Sequence, residues 1–82
     1  MAYRETTSRK VISRRVRRLR RRMLLTQAEF AREFGVRLKE VWRWENQERV
    51  PRLCHQRTLY AIEQRIKALE EEEATRKAAR RF

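Results

Sequence analysis

The sequence predicts an all-α fold of four to five helices, the last of them long. Three observations carry that expectation. The chain has one Gly and one Pro in 82 residues. A β-sandwich or barrel turns about every eight to twelve residues, and the residues that make tight turns are missing. Apolar residues recur at separations of three and four, not two. Ile12, Val16, Leu19 and Met23 do so early in the chain, and Leu59, Ile62, Ile66 and Leu69 do so late. Apolar residues make up 40% of the chain, near the globular average and too many for a disordered polar polymer. One small domain is expected, with a core marginal enough that a partner would help it.

The elements follow in order. Thr7 or Ser8 can cap a first helix whose apolar positions are Val11, Ile12, Val16, Leu19 and Met23. Arginines 14, 15, 17, 18, 21 and 22 cover the rest of it, and residues 1–7 read as a loose basic arm. Thr26 with Glu29 three positions on forms a capping box for a short helix that buries Ala28, Phe30, Ala31 and Phe34. Gly35 follows the last apolar residue and suits a left-handed helix ending. Leu38, Val41 and Trp44 recur at a spacing of three, giving a helix of about residues 37–46. Pro51 suits the first turn of a further helix, and nothing breaks helical patterning from there to about Arg80. Leu59, Ile62, Ile66 and Leu69 make a short heptad seam on it. The expected organisation is an arm over 1–7, a compact domain over 8–63 and a C-terminal helical extension over 64–82.

Charge narrows the function. Lys and Arg number 23 against 11 Asp and Glu, a net +12. Residues 1–22 alone hold ten basic residues against one acidic. Such a field attracts a polyanion: DNA, RNA or an anionic membrane face. Nineteen of the 23 basic residues are Arg, whose planar fork suits phosphate and guanine. A solvated helix face or a coding bias toward Arg explains the same count without a ligand. No apolar run is long enough to cross a bilayer, and the N-terminal segment is too polar for a signal peptide. A single cysteine makes no internal disulfide, so a reducing compartment, the cytoplasm, is expected.

Two short helices joined at Gly35, with a longer helix on each side, form the architecture of a compact helix-turn-helix domain. Leu19-Arg20, Thr26-Gln27-Ala28-Glu29-Phe30-Ala31, Gly35-Val36, Val41-Trp42-Arg43-Trp44-Glu45-Asn46 and Pro51 together resemble the Xre/Cro-type helix-turn-helix DNA-binding family. The likeness covers about residues 12–63, and its specificity lies in the combined spacing. It implies that Gln27 opens the second helix toward DNA. Arg37, Leu38, Lys39 and Arg43 match positions that enter the major groove, and Asn46 matches a phosphate contact. Arg20 and Glu45 match a buried ion pair. Physics agrees on the last point, because a carboxylate at a helix C-terminus opposes the dipole and needs a cation.

The chain departs from the family pattern at four places. Leu24 and Gln47 stand where Gly is usual, so a left-handed backbone there would cost roughly 1 kcal/mol each. Arg37 stands where Ser, Thr or Asp commonly caps the recognition helix; losing that cap costs about 1 kcal/mol. Trp42 replaces a small polar residue. It can pack on sugar and phosphate, touch a thymine methyl or join a subunit contact, or it can lie as a lid on the core edge against Arg or Lys stems.

The remaining residues weigh as follows. Trp44 shares its spacing with Val41 and Phe34 and reads as core. Cys54 and His55 lack further ligands at metal spacing, and His55 lacks a neighbouring nucleophile, so neither metal, cofactor nor enzymatic chemistry is expected. Glu70–Glu73 reads as a solvated face pairing with Arg76, Lys77 and Arg80, or as an acidic docking patch. Of the first helix, Arg9, Lys10, Arg14 and Arg17 are expected on phosphates. The leading reading is a sequence-specific transcriptional regulator of double-stranded DNA, a repressor. A second is an antitoxin whose C-terminal helix binds a toxin while the domain autoregulates its operon. A third is an RNA-binding protein stacking bases on Trp42, Tyr3, Tyr60 or Phe82. Ile66 and Leu69 are expected beyond the domain's reach, free to form a homodimer or partner seam.

Overall fold

The structure, a computed structural model, describes residues 8–79 and is all-helical over them. The order is α1 (Arg9–Arg22), α2 (Gln27–Phe34), α3 (Leu38–Glu45) and α4 (Leu53–Ala79). The expected arm over 1–7, with Tyr3, and the expectations for Arg80 and Phe82 lie outside the described residues.

Local sequence explains each helix start. The Ser8 hydroxyl accepts from the Val11 N–H at 3.2 Å and caps α1. At α2 the Thr26 hydroxyl accepts from the Glu29 N–H at 3.1 Å, and the Glu29 carboxylate accepts from the Thr26 N–H at 2.9 Å. Those bonds, the backbone one first, hold the Glu29 carboxyl below its ordinary value. Arg37 opens α3 with no side-chain cap.

The first three helices end alike. Leu25 and Leu24 N–H groups donate to the Arg20 and Arg21 carbonyls, Val36 and Gly35 to Ala31 and Arg32, and Glu48 and Gln47 to Arg43 and Trp44. Each pair is the double bond of a Schellman ending, which turns one residue left-handed. Those residues are Leu24 at φ 57°, Gly35 at 65° and Gln47 at 61°. Only Gly35 adopts this without a Cβ penalty, and a Cβ there would meet nothing within 4 Å. The glycine serves the backbone angle alone.

The core joins Ile12, Val16 and Leu19 of α1, Phe30, Ala31 and Phe34 of α2, Val41 and Trp44 of α3, and Leu59 of α4. The Phe34 ring sits 4.7 Å from Phe30 and meets Trp44 edge-on at 5.8 Å. Ala28 and Met23 are only half-buried, and Val11 is exposed. Two buried polar side chains tie elements together: the Ser13 hydroxyl donates to the Glu45 carbonyl at 2.8 Å, and the Gln56 amide donates to the Pro51 carbonyl at 2.9 Å. Pro51 is not in the first turn of α4. The Arg52 carbonyl accepts the first helical bonds, from His55 and Gln56, so Pro51 lies buried ahead of the helix.

At about 1.5 Å per residue the 27 residues of α4 extend about 40 Å. Arg15 pairs with Glu63 at 2.6 Å and Arg22 with Glu70 at 2.6 Å. The partners step by seven residues in the same order on both helices, so α1 and α4 run side by side in parallel. This corrects one expectation. Ile66 is partly buried against the core, because α1 is long enough to keep α4 company to that point. Leu69 alone of the expected seam stays open, at 60% exposure. The helix runs unbroken through the expected boundary at 63–64. Among the described residues no helix is long and apolar enough to cross a membrane.

Candidate nucleic-acid interface

The site begins with what holds α3. Glu45, at its last turn, is 2% exposed. The Arg20 guanidinium donates to both of its oxygens, at 2.7 and 2.9 Å, and also to the Leu25 carbonyl at 3.2 Å. The Glu45 bonds raise the Arg20 guanidinium above its ordinary value, so it stays charged. Ser13 holds the Glu45 backbone from the same helix, and the Arg17 Nε lies 3.7 Å from the Glu45 carboxylate. Thus α1 grips both the backbone and the side chain at the end of α3.

With Val41, Trp44 and Glu45 buried, helical geometry turns Lys39, Arg43 and Asn46 outward and leaves Leu38 and Trp42 exposed on the flank beside them. Leu38 is 49% and Trp42 42% exposed. Trp42 is the single exposed aromatic residue among the described residues. Arg37 and Lys39 are exposed and have no partner among the described residues. Arg43 is restrained: its guanidinium donates to Glu40 at 3.2 Å, and Arg49 donates to the same oxygen at 3.2 Å. Asn46 closes α3 by donating from its amide to the Trp42 carbonyl at 2.8 Å. An amide nitrogen carries two hydrogens, so one remains to donate elsewhere. Gln27 is the first residue of α2, half-buried and without a side-chain partner among the described residues.

On α1, Lys10, Arg14, Arg17 and Arg21 repeat at four, three and four and form one exposed stripe. Arg9 is exposed ahead of it. Arg21 completes this stripe and was missing from the expected phosphate contacts, although helical spacing alone would find it. Arg49 is a second omission; its link to Glu40 spans nine residues and has no local signal. Arg15 and Arg22 are engaged by α4, which divides the arginine run between structure and solvent.

Among the described residues no three His, Cys, Asp or Glu side chains come together as a metal site. Cys54 is exposed and His55 lies against the Phe34 and Trp44 rings, at 6.4 and 5.6 Å. Comparison with protein-family models, with curated proteins and with solved structures finds no match to this chain.

Proposed function

We propose that this chain is a sequence-specific regulator of transcription, a repressor, that reads the major groove of double-stranded DNA with α3. The observation that carries the reading is the outward face of α3: Arg37, Leu38, Lys39, Trp42 and Arg43 stand exposed or half-exposed on a helix anchored from beneath by Arg20, Ser13 and Glu45. Guanidinium and ammonium groups suit guanine edges, and Leu38 and Trp42 suit a thymine methyl. Gln27, Asn46 and the α1 stripe, with Arg9, supply phosphate contacts that position the duplex without reading it. A single exposed aromatic makes a poor platform for unpaired bases, which weighs against RNA as the main ligand.

One such unit reads few base pairs, so binding as a homodimer to two half-sites is part of the proposal. Leu69 is the apolar residue left for a seam on α4. The antitoxin reading has one observation in its favour: residues 67–79 of α4 are exposed along their whole length. Selection of bound duplexes from a random DNA pool tests the proposal. Enrichment of a two-fold symmetric motif is expected; a pool that stays random while binding persists would contradict sequence-specific recognition.

A further inference from the structure

Beside the outward face of α3 lies a recess of about 460 Å³, bordered by Arg37, Glu40, Trp44, Arg49, Arg52 and His55. Three arginines and one carboxylate line it. The Glu40 carboxylate is already shared by Arg43 and Arg49, while Arg37 and Arg52 have no partner among the described residues. The recess therefore holds unbalanced positive charge. The Trp44 ring forms part of its wall, with the indole nitrogen itself buried. The uncapped first turn of α3 begins at the same rim, and its free N–H groups favour negative charge.

We propose that this recess binds a tetrahedral oxyanion of the phosphate class, with Arg37 and Arg52 as the charged donors and the Trp44 ring in the wall reporting its occupancy. Two guanidinium groups from different chain segments suit a tetrahedral anion, which offers separate oxygens to each, better than a planar carboxylate. The volume exceeds that of inorganic phosphate, so the group can belong to a phosphate monoester with a small organic body or to a nucleic-acid backbone. The proposal does not depend on the DNA reading.

The test follows the indole N–H resonances of the full chain by NMR. Inorganic phosphate is titrated in against chloride at equal ionic strength. The signal lost in Trp42→Phe belongs to Trp42, and the other to Trp44. A saturating shift of the Trp44 signal is expected, about tenfold weaker in affinity in Arg52→Gln and unchanged in Arg18→Gln on α1. A shift that rises without saturating, or one equal in Arg52→Gln and the parent chain, would overturn the site. A second arm adds a short duplex. Displacement of phosphate by duplex identifies the backbone as the source, and simultaneous binding identifies a free monoester; both uphold the site. Failure of the duplex to bind would count against the DNA reading alone, because the phosphate arm is read without it.

Discussion

Glu45 and Glu72 are the same residue type, each paired with an arginine, in two regions with opposite surroundings. Glu45 lies at the corner of α1 and α3 with a 2% exposed side chain, two bonds from Arg20 and its backbone held by Ser13. Glu72 lies on the free half of α4, 58% exposed, and meets a 71% exposed Arg76 at 3.0 Å one turn away. Removing Arg20 from the first would strand a desolvated carboxylate, whereas water replaces Arg76 at the second with little loss. The corner therefore fixes where α3 points, and the free half of α4 fixes nothing but its own helix. Charge count alone treats the two alike; burial separates them.

Six substitutions, in four comparisons, break or sharpen this contrast, from the largest effect to the smallest. Arg20→Gln strands the buried Glu45 carboxylate at the corner and is expected to cost about 3–5 kcal/mol. For a domain of this size that lowers the thermal midpoint by more than about 10 °C, measurable by circular dichroism. Ile66→Ala and Leu69→Ala locate where the core ends along α4. The first is expected to cost about 1–2 kcal/mol and the second less than about 0.5 kcal/mol in urea unfolding. Equal losses would mean that the packed region extends past Ile66. Leu24→Gly and Gln47→Gly relieve the left-handed positions at the ends of α1 and α3. Each is expected to raise stability by up to about 1 kcal/mol, part of it offset by the added freedom of the unfolded chain. Glu72→Gln is expected to change stability by less than about 0.5 kcal/mol, and by nothing measurable in high salt.

The structure also changes how dimerisation is tested. A double substitution at Ile66 and Leu69 would disturb the core through Ile66. Leu69→Glu alone probes the seam, with sedimentation as the readout.

Much of this was legible in the chain, for reasons that can be named. The Thr26–Glu29 capping box and the Gly35 ending are local, so three or four residues suffice to specify them. The Arg20–Glu45 pair spans 25 residues and becomes readable through the family resemblance together with the dipole's need for a cation. Ser13 and Gln56 were not legible, because their residue types favour the surface and their acceptors are backbone carbonyls that only the fold supplies. The free end of α4 was misplaced by a turn. A heptad seam shows which face of a helix is apolar, but the length of the neighbouring helix decides how much of that face is covered. The hold of Glu40 on both Arg43 and Arg49 was likewise hidden, since Arg49 arrives from the segment after α3.

The central claim is that α3 reads bases while α1 holds phosphates. It is tested most directly by one ratio, the affinity for a selected duplex over that for a scrambled one, compared between the parent chain, Lys39→Ala and Arg14→Ala. Lys39 is chosen because it has no partner among the described residues, whereas Arg43 is held by Glu40. Lys39→Ala is expected to lower the ratio by about tenfold, the loss of one good base contact. Arg14→Ala is expected to weaken both duplexes equally and leave the ratio unchanged. A ratio unaltered by Lys39→Ala, or one lowered as much by Arg14→Ala, would contradict the division of labour between the two helices.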